Sequence, residues 1–259
     1  MKIAKSEIKQ VRSLQQKKFR DELGLFVAEG DKCVEELQKG FELVALYREG
    51  ENATRVEIEQ MSGLQTPQGT IAVFRKPLLP LAPSLEERAG GEVLLVLDGV
   101  QNPGNLGTII RTCDWFGVHD IVCSRDTADC FNPKVVQATM GALTRVRVHY
   151  KDLVEWLAPS NSPMKGERPA IYGTLLEGED MYEVLSQSCL PPFMGGQRGA
   201  LTSIIIMGNE GNGISEEVRR LVTHPIRIPS YPKGAETSES LNVAIATAIV
   251  LAEFRRRES

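Results

Sequence analysis

The sequence predicts an α/β protein: a mostly parallel sheet with helices on both faces over residues 93–259, preceded by a smaller α/β module over residues 1–77. Three observations carry this. From Val93 onward, short apolar runs alternate with segments of helical period. Residues 78–92 combine two prolines, a Gly-Gly pair and weak periodicity, the composition of a linker between domains. From Leu241 to Phe254 the only clearly polar side chains are Asn242, Thr247 and Glu253, so apolar residues cover almost the whole circumference of a helix, which marks it for a core or a partner.

In the first module, residues 25–28 and 43–47 read as strands flanking a helix over 31–38, and residues 70–74 read as a third strand. Ahead of them the charge balance departs from the whole-chain value of -4. Residues 1–22 hold Lys2, Lys5, Lys9, Arg12, Lys17, Lys18 and Arg20 against Glu7, Asp21 and Glu22, so 7 minus 3 leaves +4. A second basic cluster, Arg255 to Arg257, closes the chain. Phosphate binding and a solvated helix face or helix C-terminus are both open readings of these clusters.

In the second part, strands are expected at 93–97, 121–122, 145–148, 170–173, 204–207 and 226–228, with helices at 105–116, 133–141, 215–222 and 241–254. The Pro-, Gly- and Ser-rich stretches 158–168 and 188–200 read as surface loops. No apolar run approaches the ~20 residues of a membrane span, and the N-terminus lacks the apolar region of a signal peptide, so the expectation is a soluble, cytoplasmic protein. Cys33, Cys113, Cys123, Cys130 and Cys189 form no C-x-x-C pair and have no histidine at ligand spacing; they are expected to be reduced and structural, with no metal. His119, His149 and His224 fit no triad.

Three segments hold chemistry, each just after an expected strand, where ligands of such sheets bind. In Asn102 to Thr112 (NPGNLGTIIRT), Pro103 and Gly104 suggest a turn and Asn105 a helix N-cap. Leu106, Ile109, Ile110 and Cys113 form a buried stripe that leaves Arg111 outside it. In Ile204 to Ser215 (IIIMGNEGNGIS), the spacing of Gly208, Gly211 and Gly213 matches neither the dinucleotide fingerprint nor the Walker loop. Glycines there let backbone approach a ligand, with Glu210 between two of them; Ser215 before Glu216 and Glu217 reads as a helix cap. The third segment runs from Ile228 through a polar loop to Ser240-Leu241-Asn242-Val243, where Ser240 and Asn242 could equally be ordinary caps.

Taken together and in this order, the three segments resemble the motifs of the SpoU (TrmH) family of RNA ribose 2'-O-methyltransferases, in the SPOUT superfamily. The spacing Lys18-Phe-Arg, Gly24, Phe26, Glu29-Gly30, with Thr66 to Gly69, resembles the ribosomal-protein-like RNA-binding module that precedes the catalytic domain in many of its members. The resemblance implies a SPOUT α/β domain over 93–259 whose C-terminal segment threads a loop as a deep trefoil knot, and S-adenosylmethionine as the cofactor. It implies an RNA partner, ribosomal before transfer RNA, and a homodimer. Catalytic roles are implied for Arg111, Asn105, Glu210, Ser240 and Asn242. Cofactor contacts are implied at Thr174, Leu175, Gly208, Asn209, Ile228, Pro229, Ser230 and Leu241. Lys9, Arg12, Lys17 and Lys18, in the basic N-terminal segment, are the expected RNA contacts. Lys134 to Leu143 resembles the family helix ending in a small-residue turn, read as packing, with substrate contact as the second reading. The loop between Ile228 and Ser240, with Lys233, Glu236 and Glu239, is longer than the family pattern. A non-catalytic RNA-binding protein with the same fold is the alternative, and a nucleotide-dependent oxidoreductase lacks its phosphate fingerprint.

Overall fold

The structure, a computed structural model, describes residues 3–77, 93–158, 169–187, 203–232 and 238–258. The linker expected at 78–92 lies outside them, as do Lys233, Glu236 and, apart from Ala158, the two expected surface loops.

Strands β1 (Leu25–Glu29), β2 (Leu43–Arg48) and β3 (Thr70–Arg75) fall where the sequence places them, with β3 in the middle and antiparallel to both neighbours. Helices α1 (Lys5–Ser13) and α2 (Lys17–Leu23) precede this sheet, and α3 (Asp31–Leu37) joins β1 to β2. Helix α4 (Arg55–Met61) was not among the expected elements, although Thr54 and Glu57 form a reciprocal capping box at its start. Val11, Leu14, Ile58 and Met61 from the helices pack on Val27, Ile71 and Val73, filling one side of the sheet.

The second sheet contains β4 (Val93–Leu97), β5 (Asp120–Ser124), β6 (Arg147–Lys151), β7 (Ala170–Asp180), β8 (Ser203–Met207) and β9 (His224–Arg227). Their order is β6-β5-β4-β8-β7-β9, and every pairing is parallel. Val93, Leu95 and Leu97 face a core shared with helices α5 (Pro103–Trp115), α6 (Pro133–Thr139) and α10 (Val243–Glu258). Leu94 and Val96 face a second layer with α7 (Leu153–Leu157) and α9 (Glu216–Arg219). Burial on both faces explains why these strands read as continuous apolar runs.

Several boundaries differ from expectation: among them, α9 ends at Arg219 rather than at residue 222, and α10 runs from Val243 to Glu258 rather than over 241–254. β6 starts two residues late because Ala142–Thr144 forms a 3-10 turn whose first carbonyl accepts from the amides of Arg145 and Val146. β7 extends to Asp180 because its polar second half pairs with β9. Helices α7 and α8 (Met181–Gln187) occupy segments without a clear helical signal. Among the described residues no helix is long and apolar enough to cross a membrane.

The two sheets share one core. Phe131, from the chain between β5 and α6, packs 4.9 Å from Phe26 of β1, while Phe26 stacks on Phe74 of β3 at 5.5 Å. Arg20 of α2 is 1 % exposed. Its guanidinium donates to Asp129 Oδ2 at 2.7 and 3.1 Å and to the carbonyls of Leu14 and Gln15 at 2.8 and 3.0 Å. Arg20 is therefore a structural residue and leaves the solvent-facing basic cluster to which its charge was first counted. The C-terminal arginines resolve in the same direction. Arg255 donates to the carbonyls of Phe116 and Gly117 beyond the end of α5, and Arg256 and Arg257 both pair with the buried Glu253 carboxylate, which they hold below the usual carboxylate range.

Cys33, Cys113, Cys123 and Cys130 are free and buried. Burial pushes the Cys33 thiol up to about 11, and burial with the nearby Asp129 charge pushes Cys130 up to about 12. These two thiols are unreactive at neutral pH. His149 is buried against Asp120 at 2.6 Å, beside the forked pairing of Arg147 with the same carboxylate, and takes part in packing the sheet edge.

Removing one partner of a buried ion pair strands the other charge, which costs about 3–5 kcal/mol. Asp129→Ala should therefore destabilise by about that amount, whereas Glu59→Ala, which breaks the exposed pair with Arg55, should cost under about 1 kcal/mol. Urea unfolding of the two variants checks this; equal midpoints would show that the Arg20–Asp129 bridge does not hold the two sheets together.

Candidate active site

Parallel strands bring all their carboxyl ends to one edge, and the strand order reverses between β4 and β8, the place where such sheets open a crevice. The loops following these two neighbours are the first two sequence segments. Asn102, not Asn105, caps α5: its Oδ1 accepts from the amides of Gly104 and Asn105 at 2.8 and 3.1 Å. Pro103 is the first helical residue rather than part of a turn, a position that suits it because no N–H is needed there. The correction has a consequence. Asn105 sits within the first turn with its own side chain free to reach across to other loops.

It reaches two of them. Asn105 Nδ2 donates to Glu210 Oε1 of the β8 loop, and Asn105 Oδ1 accepts from Asn242 Nδ2 at 3.1 Å. Asn242 is also the cap of α10, its Oδ1 accepting from the amides of Ala244 and Ile245 at 3.0 and 3.4 Å. These bonds fix the polarity of the whole chain of contacts. Because Asn242 Oδ1 faces amide donors, its Nδ2 must face Asn105; Asn105 then presents its carbonyl to Asn242 and its amino group to an acceptor, the Glu210 carboxylate. Residues 105 and 137 positions apart in sequence are joined in one directional series.

The β8 loop is rigid by construction. Asn209 and Gly213 exchange two backbone hydrogen bonds of 2.9 Å. A Cβ on Gly208 would lie 2.2 Å from the Gly213 carbonyl carbon, so only glycine allows the loop to close on itself here. Asn209 spends its side chain on structure: Oδ1 accepts from Gly211 and Asn212 amides at 2.8 and 3.2 Å, and Nδ2 donates to the Gly99 carbonyl of the β4 loop at 2.6 Å. Asp98, at the head of that loop, accepts from the Ser215 amide at 2.7 Å. Ser215 occupies the cap position of α9, but its hydroxyl makes no capping bond. Sequence reading passed over Asp98, Gly99 and Asn102. The Pro at the first helical position was the available signal for Asn102.

Other expected site residues are placed around this centre rather than in it. Arg111 is exposed, has no hydrogen-bond or ion-pair partner among the described residues, and lies six residues, about 9 Å along the helix, beyond Asn105. It belongs to an exposed line on α5 with Gly104, Thr108 and Trp115. Ser240 and Leu241 are exposed just before Asn242. Thr174 donates to the Ile206 carbonyl at 3.1 Å, which ties β7 to β8; Leu175, in the middle of β7, and Ile228 and Pro229, just after β9, are half-buried, with Ser230 exposed. In the N-terminal module, Arg12 is bonded to the Ser62 carbonyl and Lys17 to Asp21 at 2.5 Å. Lys18 lies over the Phe19 ring, and Lys9 is exposed without a partner among the described residues.

Comparison with known proteins gives a consistent result. Residues 92–252 match the SpoU rRNA Methylase family, and residues 5–58 match the MRM3-like substrate binding domain. The 23S rRNA (guanosine(2553)-2'-O)-methyltransferase RlmP of Bacillus subtilis is 29% identical over 96% of this chain and 96% of its own length. A solved structure of a TrmH-family protein from Porphyromonas gingivalis is 35% identical and superposes with a TM-score of 0.80 over 98% of this chain and 99% of that one. An AdoMet-bound rRNA methyltransferase from Sinorhizobium meliloti is 27% identical, with a TM-score of 0.77 over 99% and 98% of the two chains.

Asn242 acts both as cap and as amide donor, and substitution separates the two. Asn242→Ala should cost about 1 kcal/mol of stability through loss of the α10 cap, and Asn242→Asp, which keeps the capping oxygen, should cost clearly less. Equilibrium unfolding checks the ranking; an aspartate variant as weak as the alanine one would show that the cap is not what Asn242 contributes to stability.

Proposed function

This chain belongs to the SpoU rRNA methylase family, and from that premise we propose how its residues carry out S-adenosylmethionine-dependent methylation of a ribose 2'-hydroxyl in ribosomal RNA. The observation that carries the reading is the single hydrogen-bonded series Asn242–Asn105–Glu210, which joins all three sequence segments at the carboxyl edge of the sheet. Hydroxyl methylation needs two things from the protein: the oxygen held in line with the methyl, and its proton removed as the bond forms.

The residues fit the cofactor. Thr174, Leu175, Gly208, Asn209, Ile228, Pro229, Ser230 and Leu241 include no charged side chain, and Leu175 and Ile228 offer half-buried apolar surface, as an adenosyl group requires. When bound, S-adenosylmethionine supplies an electrophilic sulfonium methyl. Glu210, oriented by the Asn105 amide through one oxygen, retains a second oxygen to accept from a ribose hydroxyl. Ser240 supplies a further hydroxyl beside Asn242, and Arg111 supplies a planar fork for a phosphate or the reacting oxygen. With the cofactor bound, the methyl would pass from its sulfur to the ribose oxygen, and the second oxygen of Glu210 or the Ser240 hydroxyl is the group of this set that would accept the 2'-hydroxyl proton.

Residues 1–77 serve RNA binding in this reading, with Lys9 and Lys18 as the more available charges and Arg12 and Lys17 partly committed to the fold. Residues 93–259 are the catalytic domain, and a cytoplasmic place suits its RNA substrate. The trefoil knot is supported by one detail: Ile226 of β9 is paired by both Thr174 and Glu179 of β7, and a Cβ on the intervening Gly178 would sit 2.5 Å from the Ile226 carbonyl carbon. β7 therefore folds closely around β9. A homodimer is supported by the face α10 leaves open. Leu241 and Ile245 are 47% and 55% exposed, with half-buried Ile249 continuing the stripe, and Trp115 on neighbouring α5 is 85% exposed.

Arg111→Ala should keep its fold and its affinity for S-adenosylmethionine, while methyl transfer to ribosomal RNA falls ~100-fold to ~10,000-fold; Arg111→Lys should recover little. Single-turnover assays at saturating RNA decide this, and near-normal transfer by the alanine variant refutes the role.

The dimer has its own test. Ile245→Glu places a charge on the open stripe without entering the core and should give folded monomers. Sedimentation of a wild-type monomer at high micromolar concentration would remove the dimer.

A further inference from the structure

The arginines separate into two groups. Every arginine of the described residues is hydrogen-bonded to a carboxylate or backbone carbonyl, or, as Arg48 with Glu51, ion-paired at longer range, except Arg111, Arg125 and Arg227. Arg125 follows directly on the last residue of β5, and Arg227 is the last residue of β9. Both are exposed. Since the sheet is parallel throughout, both stand at the edge that holds Asn105 and Glu210.

Their placement brackets the site. β5 lies one step from β4 on one side, and β9 lies three steps from β4 on the other, so four inter-strand spacings, about 19 Å, separate the two strand ends. The loops following β4 and β8 fall between them. Both positions are held by rigid backbone. Next to Arg125, the Asp126 carboxylate would lie 3.2 Å from a Cβ on Gly99, and the Thr127 hydroxyl donates to the Leu97 carbonyl at 3.3 Å. Arg227 pairs in register with Asp180 of β7, yet no ion pair joins the two side chains. On the Arg125 side the line continues toward the N-terminal module, because Asp129, four residues on, binds Arg20 of α2, whose first turn holds Lys17 and Lys18.

We propose that Arg125 and Arg227 grip the RNA backbone on opposite sides of the nucleotide being methylated, with an unpaired strand lying along the carboxyl edge of the sheet. This rests on the ribose-methylation reading above and adds the course of the substrate. Two guanidinium forks fixed on separate strands match phosphates, and their span admits several nucleotides. They are positioning residues: they set where the strand lies and leave the chemistry to the centre.

The experiment uses the full chain, S-adenosylmethionine and an unmodified 23S ribosomal RNA transcript, with Arg125→Gln, Arg227→Gln and the double variant. Each single change should raise KM for RNA about fivefold to tenfold, leave kcat at saturating RNA within about twofold, and leave cofactor affinity unchanged. For the double variant the slope of log affinity against log salt should fall by about 1.4, two single-strand phosphate contacts. Lysine at both positions should recover most of the binding, since a phosphate accepts a point charge. Arg220→Gln, whose guanidinium is spent on Glu216, should change neither constant. Wild-type affinity and salt slope in the double variant overturn the proposal, as does an equal loss in Arg220→Gln, or a fall in kcat with KM unchanged. A wild-type protein that transfers no methyl to ribosomal RNA overturns the underlying reading instead, and this proposal with it.

Discussion

Asn105 has one carbonyl oxygen and one amino group, and a different stretch of chain holds each. That constraint orders much of the site. The amino group needs an acceptor, which brings Glu210 of the β8 loop against the first turn of α5; the carbonyl needs a donor, which brings in Asn242. Asn242 can donate only because its oxygen is occupied by the first amides of α10. The loop bearing Glu210 can stand there only because Gly208 and Gly213 close it and Asn209 fastens it to Gly99. The network lies at the protein surface, with Asn105 half-buried and Glu210 and Asn242 exposed, so water and substrate can reach its outer groups.

The N-terminal sheet is more than an appended module. Its Phe26, Phe74 and Cys33 lie in the same apolar cluster as Phe131, Val136 and Leu143 of the larger part, and the Arg20–Asp129 bridge crosses the junction with almost no exposure. A substrate-binding module hung on a flexible tether would leave the RNA free to wander relative to the site. Packed as it is, the module fixes the distance between its basic surface and Glu210.

How much of this was legible in the sequence depends on how local the cause is. Strands buried on both faces announced themselves as apolar runs, and the three segments following strands were found because glycine and asparagine at strand ends have a turn or capping chemistry. The choice between Asn102 and Asn105 as the cap was legible too, since Pro103 belongs at the first helical position; the reading of Pro103 and Gly104 as a turn hid it. What could not be read were partnerships between distant residues. Nothing near Arg20 in sequence signals that its charge belongs to Asp129, and nothing near Arg255 shows that it serves the last carbonyls of another helix. Glu177, Glu179 and Asp180 left the second half of β7 without an apolar strand signal, because the β9 backbone that pairs with Glu179 and Asp180 comes 47 residues later.

Helices α5 and α10 are joined N-terminus to N-terminus by Asn105 and Asn242, and C-terminus to C-terminus by Arg255 on the Phe116 carbonyl. They therefore run side by side in the same sense, and their peptide dipoles, about half a charge at each end, repel one another along their length. The sequence answers with a charge at each pole. Glu210 lies against the paired positive ends, and Arg255 lies against the paired negative ends. The two helices and these two residues form one electrostatic couple. Glu210, to which we assign a place in the chemistry, is thus also a counter-ion that eases the side-by-side packing of two parallel helices.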